Sequence, residues 1–380
     1  MKYLFFTGSR SEWGYIRPLL ELCKKNKIKY NICATNMHLL DSFGNSSEEI
    51  EKDGFKISDK IYMALDGYNN HTMAKSMGII LSSFTDVVQR LKPDWIILAG
   101  DRAETLCAGL VGAYTYTPIA HIQAGELSGN IDGLARHAIG KFAHLHFASN
   151  KDAYNRLKKL GEEKFRIKLV GAPQLDDLTK IKKEKIDKKK FFKNLGIFDI
   201  SKYLLVVYHP VTEEFSKIEK NFEILDRSLK KINLKKIWIM PNNDAGSSLL
   251  KSKILSTKSS DNYYFENLPR ADYLRILKMS ECIVGNSSSG IIESSTFKIP
   301  TVNIGRRQNQ RLRATNVVDI KEMSENKIVN AIKLCTSKEY KQKIKNIKNP
   351  YGDGNSSKKI FNILLNTAVN DKLLIKKLTY

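Results

Sequence analysis

Short apolar runs alternate with longer amphipathic stretches along most of this chain. The alternation predicts βαβ units, because strands covered on both faces are apolar throughout and covering helices have one apolar side. In the first half, the predicted strands are 3–7, 30–34, 95–99, 119–122, 145–148 and 167–170, and the predicted helices are 15–25, 72–91, 103–113, 134–142 and 151–159.

A charged stretch at 178–195 interrupts this pattern, which then restarts. The second set of predicted strands is 204–208, 236–240, 282–284 and 301–304, and its helices are 215–229, 249–255, 270–279, 290–297 and 321–335. The tail, 356–377, predicts one long amphipathic helix that crosses back onto the first domain.

A chain of 380 residues exceeds what one core usually serves, so we expect two domains. The predicted fold class is α/β, with two Rossmann-like, doubly wound domains facing a central cleft. The predicted boundaries are 1–177 for the first domain, 178–200 for a linker, 201–355 for the second domain and 356–380 for the returning helix.

The net charge and its distribution along the chain limit the classes of binding partner that we expect. The formal net charge is +23, but the lysines are spread along the chain and no basic segment is interleaved with aromatic residues. We therefore expect no nucleic-acid partner, and a positive field that attracts a small anionic substrate.

Other features argue for a cytoplasmic protein with no membrane contact. No apolar run approaches the roughly 20 residues that span a bilayer, and the first run leads into a glycine turn, unlike a signal peptide. The five cysteines are widely spaced and form no disulfide or zinc motif, so we expect no metal.

Ionisable residues gather after predicted strands of the first half, where α/β proteins place their chemistry. Asp101 follows one strand and either acts in the cleft or caps the next helix. Glu126 and Asp132 lie on a loop flanked by Gly125 and Gly129. This loop can bring them near Asp101 for acid–base work; the alternative is a solvated loop with capping acids.

Residues that follow other predicted strands have side chains that can bind an anion. Gly8 allows a tight turn and Arg10 can hold phosphate oxygens, although a simple turn is equally consistent and G-x-G-x-x-G is absent. His209 follows another strand and can donate to a diphosphate or act as an acid toward it.

The last such segment combines small residues with a helix start. Ser287, Ser288 and Ser289 suit phosphate, and Glu293, one turn later, can bind a ribose hydroxyl pair. The alternatives are a helix cap and a surface glutamate.

Together these residues resemble the UDP-N-acetylglucosamine 2-epimerase family in its hydrolysing branch, over nearly the whole chain. The likeness is carried by Gly-Asp-Arg at 100–102, His-Ile-x-x-Gly-Glu at 121–126, Gly-x-Ile-Asp at 129–132 with Arg136 and His137, Pro-Asn-x-Asp-Ala-Gly at 241–246, and Gly-Asn-Ser-Ser at 285–288.

The resemblance implies a GT-B-like fold, a homodimer or homotetramer, and a reaction without a cofactor. A base removes the C2 proton, the nucleoside diphosphate leaves C1 to give a 2-acetamidoglycal, and water adds to release the free 2-epimer. The substrate is UDP-N-acetylglucosamine, which yields N-acetylmannosamine, or a UDP- or GDP-2,4-diacetamido-2,4,6-trideoxyglucose, for sialic or legionaminic acid synthesis.

The expected catalytic residues are Asp101, Gln123, Glu126, Asp132 and His209, and the expected substrate- and nucleotide-binding residues are Arg10, Glu12, Arg136, His137, Asn242, Asp244, Ser287, Ser288, Ser289 and Glu293.

Gln123 departs from the family pattern, since many members carry a glutamate there and an amide takes no proton at neutral pH. Either Gln123 binds substrate while Glu126 or Asp132 does the acid–base work, or the sugar differs. A GT-B-like glycosyltransferase, which needs an acceptor, and a non-catalytic nucleotide-sugar binder are the alternatives from other classes.

Overall fold

The computed structural model describes residues 1–41, 46–65, 70–127, 131–198, 200–241, 246–257, 259, 262–266 and 268–379. The chain divides into two compact units. Unit 1 comprises Met1–Leu127, Ile131–Asp177 and residues 351–379, and unit 2 comprises Leu178–Pro350.

The strands are β1 (Lys2–Thr7), β2 (Lys29–Thr35), β3 (Asp59–Ile61), β4 (Trp95–Ala99), β5 (Ile119–Ile122), β6 (Leu145–Ala148), β7 (Ile167–Leu169), β8 (Tyr203–Val207), β9 (Lys235–Ile239), β10 (Asn262–Phe265), β11 (Cys282–Gly285), β12 (Thr301–Ile304) and β13 (Val317–Ile320).

The helices are α1 (Arg10–Lys25), α2 (Ser47–Lys52), α3 (Asn70–Leu91), α4 (Ala103–Tyr114), α5 (Ile131–Phe142), α6 (Lys151–Lys159), α7 (Asp176–Lys183), α8 (Lys188–Asn194), α9 (Ile218–Lys230), α10 (Ser247–Ser256), α11 (Arg270–Met279), α12 (Ser289–Ile292), α13 (Ser294–Phe297), α14 (Glu325–Thr336), α15 (Lys338–Lys343), α16 (Ser356–Leu365) and α17 (Asp371–Leu374). Short 3-10 turns cover Asn36–Leu39, Lys164–Arg166, Pro173–Leu175 and Thr212–Lys217.

Unit 1 contains a parallel sheet of order β3-β2-β1-β4-β5-β6-β7. Its strands are apolar on both sides because helices cover both faces. Tyr3 and Phe5 of β1 pack into one cluster, and Leu4 and Phe6 pack into a second. The sequence pattern of uninterrupted apolar runs follows from this double cover.

Unit 2 repeats the arrangement with the order β10-β9-β8-β11-β12-β13, again parallel. Leu204 and Val206 of β8 face one cluster, and Tyr203 and Leu205 face the other. The expectation of an α/β protein with two doubly wound, parallel sheets is confirmed.

Each sheet has a topological switch point, where the strand order reverses. It lies between β1 and β4 in unit 1 and between β8 and β11 in unit 2. Open α/β sheets bind ligands beyond the carboxyl ends of the strands at such points. The loops that follow these four strands are therefore the places to examine for function.

Several element predictions were wrong in detail. The short strands β3, β10 and β13 were missed, α14 begins at Glu325 rather than 321, and the predicted helix 290–297 is two short helices. Predicted helix 215–229 begins within a 3-10 turn and becomes regular only at Ile218. The expected linker 178–200 contains most of α7 and all of α8.

The C-terminal tail is broken rather than one long helix. Helix α16 ends at Leu365, and α17 starts at Asp371. Asn370 caps α17, since its side chain accepts a hydrogen bond from the Leu373 main-chain N–H at 3.2 Å. An asparagine that caps a new helix cannot also continue the preceding one. Within the described residues, no helix has the length and apolarity to cross a bilayer.

Candidate functional site

A buried arginine organises the polar loops that follow β4 and β5 in unit 1. Arg136, on α5, is 2% exposed. Its Nη2 donates to Oδ2 of Asp101, and its Nη1 donates to the main-chain oxygen of Gln123 at 2.8 Å. Burial opposes the charge of Arg136, but the carboxylates of Asp101 and Glu126 outweigh burial and raise its pKa. Arg136 therefore stays a cation between two acids.

Gln123 has a backbone conformation that favours glycine, with φ of +62°. Its side-chain Nε2 donates to Oε1 of Gln174 at 2.9 Å, and both amides are buried. A strained backbone persists where surrounding contacts hold it. Here the bond from Arg136 to the Gln123 carbonyl and the Gln174 pair do so.

Glu126 follows in the same loop and is 3% exposed. Its Oε1 accepts hydrogen bonds from Oγ of Ser149 and, at 2.7 Å, from Nδ2 of Asn150. Gly125 precedes it with φ of +75°, and an added Cβ there would lie 2.6 Å from the carbonyl oxygen of Ala153. The loop thus packs against the start of α6 at a distance that only glycine permits.

Two predicted residues lie on α5 itself. Asp132 is half-buried in the first turn, where the helix dipole favours a carboxylate. It precedes Arg136 by one turn and so shares its helix face. Burial, together with Arg136, Arg156 and Lys141, lowers the pKa of His137, so its ring is neutral at neutral pH.

His121, the first residue of the His-Ile-x-x-Gly-Glu motif, supports the neighbouring turn. It is fully buried on β5, and burial lowers its pKa to about 3. A neutral ring can donate from one nitrogen, and its Nε2 lies 2.7 Å from the carbonyl oxygen of Gly100. His121 therefore braces the turn that carries Asp101.

Acidic side chains occupy the hydrogen-bonding groups of the loop after β1. Oε2 of Glu12 accepts from the Gly8 main-chain N–H at 2.5 Å, and Oε1 accepts from Thr105 at 2.9 Å. Burial, followed by the nearby Glu104, raises the pKa of Glu12 to about 8. The main-chain N–H of Gly8 is thus taken by a side chain, and Arg10, which was expected to hold phosphate oxygens, pairs with Glu49 at 3.1 Å.

An asparagine joins the strand ends at the switch point of unit 2. Oδ1 of Asn286 accepts from the His209 main-chain N–H at 2.7 Å, and its Nδ2 donates to the His209 carbonyl at 2.8 Å. Gln308 donates to the Asn286 carbonyl at 2.9 Å. The loops after β8, β11 and β12 are therefore tied together at Asn286, with His209 held half-buried among them.

Gly285, at the end of β11, is required by close packing. Its φ is +140°, and an added Cβ would lie 2.0 Å from the carbonyl oxygen of Val207. No side chain fits there, so the strand ends of β8 and β11 can approach only through a glycine.

The serines after Gly285 divide into two groups. Ser289 is committed to an internal network, because its Oγ accepts from Tyr273 at 2.6 Å and donates to Glu293 at 2.8 Å. Glu293 is buried and also pairs with Arg270. Ser287 and Ser288 form the turn before α12. Asn242 and Asp244 lie outside the described residues.

Four functional candidates escaped the sequence analysis: the partner Gln174, the pair Ser149 and Asn150, and the loop after β12. That loop, residues 306–313, carries four arginines and is called the arginine loop below. Arg306 pairs with Glu214 at 2.9 Å, and Arg307 lies 3.4 Å from the Asn286 carbonyl. The sequence signal that could have identified this loop is its charged residues directly after an apolar strand.

In the described part of the chain, no group of three or more acidic, histidine or cysteine side chains could hold a metal ion.

Comparison with known proteins gives consistent matches over nearly the full length. The sequence model of the UDP-N-acetylglucosamine 2-epimerase family matches residues 20–365. The chain is 34% identical over 377 residues to a UDP-N,N'-diacetylbacillosamine 2-epimerase (hydrolyzing) of Legionella pneumophila, covering 99% of this chain and 98% of that protein.

It is 35% identical over 347 residues to a GDP/UDP-N,N'-diacetylbacillosamine 2-epimerase (hydrolyzing) of Campylobacter jejuni, covering 90% and 89% of the two chains. Among solved structures, UDP-GlcNAc 2-epimerase from Neisseria meningitidis bound to UDP-GlcNAc matches with a TM-score of 0.82 and 24% identity, over 97% of this chain and 100% of that chain. That structural match establishes the shared fold.

Proposed function

Since this chain belongs to the UDP-N-acetylglucosamine 2-epimerase family, we propose that it is a hydrolysing nucleotide-sugar 2-epimerase. The observation that carries the proposal is the group formed by the half-buried Asp101 with the buried Glu126 and Arg136 at the strand ends of unit 1. Carboxylates of this kind serve proton transfer at a carbon centre.

The reaction needs a base for the C2 proton and stabilisation of the departing diphosphate. Glu126, Asp132 and Asp101 are the carboxylates that we expect to act in catalysis in unit 1, and Gln123, which takes no proton, orients substrate. Loss of the proton and of the nucleoside diphosphate forms the 2-acetamidoglycal. Water then adds across the C1–C2 double bond, and a proton returned to C2 on the opposite face gives the free 2-epimer.

The diphosphate contacts belong to unit 2 in this proposal. His209, Ser287 and Ser288 lie at the strand ends that Asn286 ties together, and the arginine loop adds positive charge beside them. Positive charge and hydroxyl donors at a switch point suit an anionic leaving group.

Two sugars remain candidates for the substrate. The names of the relatives that are 34% and 35% identical support UDP- or GDP-linked N,N'-diacetylbacillosamine, which is 2,4-diacetamido-2,4,6-trideoxyglucose. A relative from Neisseria meningitidis, 28% identical, is named UDP-N-acetylglucosamine 2-epimerase, which supports UDP-N-acetylglucosamine as the alternative.

The test is a panel of these nucleotide sugars, each incubated with the protein in deuterated water and followed by NMR. We expect free 2-epimerised sugar, free nucleoside diphosphate and one deuterium at C2, without an acceptor. Transfer of the sugar only when an acceptor is present would identify a glycosyltransferase. Absence of reaction with every sugar would refute the proposal.

A cytoplasmic location and a homo-oligomer, dimer or tetramer, are further parts of this proposal. All five cysteines are buried thiols, which agrees with a reducing compartment. Light scattering after size-exclusion chromatography would measure the oligomeric state.

A further inference from the structure

We propose that Ser149 and Asn150 are positioning residues that hold the carboxylate of Glu126 for proton transfer, an inference that rests on the function proposed above. Both residues follow β6 directly and are buried. They lie beside the loop that follows β5, because β5 and β6 are neighbours in the sheet.

The geometry assigns different surroundings to the two oxygens of Glu126. Ser149 and Asn150 both donate to Oε1, the latter at 2.7 Å. Within the described residues, no side chain or main-chain group is hydrogen-bonded to Oε2. One oxygen is therefore an anchor, and Oε2 is the atom that receives the proton.

The same contacts fix the direction of the group. Two donors on Oε1 hold the carboxylate in one orientation, and proton transfer depends on such an orientation. The inference therefore selects Glu126 as the group that removes the C2 proton, and leaves the protonation of the opposite face to another acid, such as Asp132.

Asn150 has a second role that shapes the experiment. Its Oδ1 accepts from the Ala153 main-chain N–H at 2.9 Å and caps α6. Truncation to alanine would remove the cap and confuse folding with catalysis. Asn150→Asp keeps an acceptor at the cap, since aspartate caps helices as well as asparagine, but replaces the donor by a carboxylate facing Glu126.

The first test is the pH dependence of kcat for Asn150→Asp. A like charge in contact favours the protonated form of Glu126. We expect the acidic limb of the profile to move up by about one pH unit or more, while KM stays within about twofold. Ser149→Ala removes one donor without adding charge, and should lower kcat by about tenfold through misorientation of the base.

Asn370→Asp is the matched control. Asn370 caps α17 through the same kind of bond, from the Leu373 N–H at 3.2 Å, so the chemical change is identical but Glu126 is untouched. This variant should keep the wild-type profile. Thermal unfolding checks that all three variants are folded.

A folded Asn150→Asp protein whose pH profile coincides with that of the wild type would overturn the inference while leaving the proposed function intact. Absence of turnover by the wild-type chain would overturn the proposed function, and this inference with it. A shift in Asn150→Asp that Asn370→Asp does not share supports the positioning role.

Discussion

The switch points of the two sheets have the same topology and opposite chemistry. In unit 1, the loops after β1 and β4 meet around Glu12 and Glu104, two buried carboxyl groups. In unit 2, the loops after β8 and β11 meet around the amide of Asn286, which serines follow in the chain and whose carbonyl accepts hydrogen bonds from the arginine loop.

The difference shows how one architecture can serve two tasks. Acidic side chains that are hydrogen-bonded to their own loop offer a diphosphate no donors, whereas amides, hydroxyls and guanidinium groups can donate hydrogen bonds to it, and guanidinium groups attract its charge. The contrast supports proton chemistry in unit 1 and nucleotide binding in unit 2. Three substitutions test this division.

Asp101→Asn should have the largest effect. The amide cannot transfer a proton or balance the charge of Arg136, so kcat should fall by about 10² to 10⁴, whereas the affinity for UDP should stay within about threefold because unit 2 is untouched. Product formation followed by NMR and UDP titration calorimetry measure the two quantities. Asp86→Asn, at an exposed position of α3, is the control. Equal losses in kcat and in UDP affinity would contradict the division of proton chemistry and nucleotide binding between the two units.

Asn286→Ala should affect the affinity for UDP, in contrast to Asp101→Asn, which should affect kcat. It leaves the N–H and C=O of His209 without their partner, and each unpaired group costs about 1–3 kcal/mol when buried. We expect UDP affinity to fall by about tenfold or more. Asn303→Ala removes another buried amide of unit 2, one that donates to Asp319 at 2.6 Å, and should leave UDP affinity unchanged. A UDP affinity in Asn286→Ala equal to that of the wild type would refute its role.

Glu12→Gln should produce the smallest change, seen in stability rather than activity. Since the pKa of Glu12 is raised to about 8, the folded protein binds this proton more tightly than the unfolded chain. Stability is therefore lost as the pH rises from the unfolded value, about 4.3, towards 8.

The neutral amide removes that loss, so the Tm of Glu12→Gln should exceed that of the wild type at pH 8, and the difference should shrink towards pH 5. Glu21→Gln, at the ion pair with Arg17 on the same helix, serves as control. A Tm difference that does not depend on pH would show that Glu12 is ionised throughout.

The strand ends that carry Asp101, Glu126 and His209 were predictable because an apolar run followed by a polar residue marks the edge of a parallel sheet. Their partners were not. Asn150 meets Glu126 only because β6 pairs with β5, and Gln174 reaches Gln123 from a 3-10 turn about fifty residues later. Such pairs depend on tertiary packing, which hydrophobic periodicity does not encode. The short strand β3 was missed because charged residues interrupt its pattern.

Arg166 makes the folding of unit 1 depend on residues that follow unit 2 in the sequence. Its guanidinium, fully buried in unit 1, donates to the carbonyls of Lys372, Leu373 and Ile375 at 2.6–3.1 Å. In translation, the whole of unit 2, which ends at Pro350, is synthesised before these acceptors. Unit 1 can therefore complete its core only after unit 2 has been made, and a stop codon before Lys372 leaves the buried cation without these three acceptors.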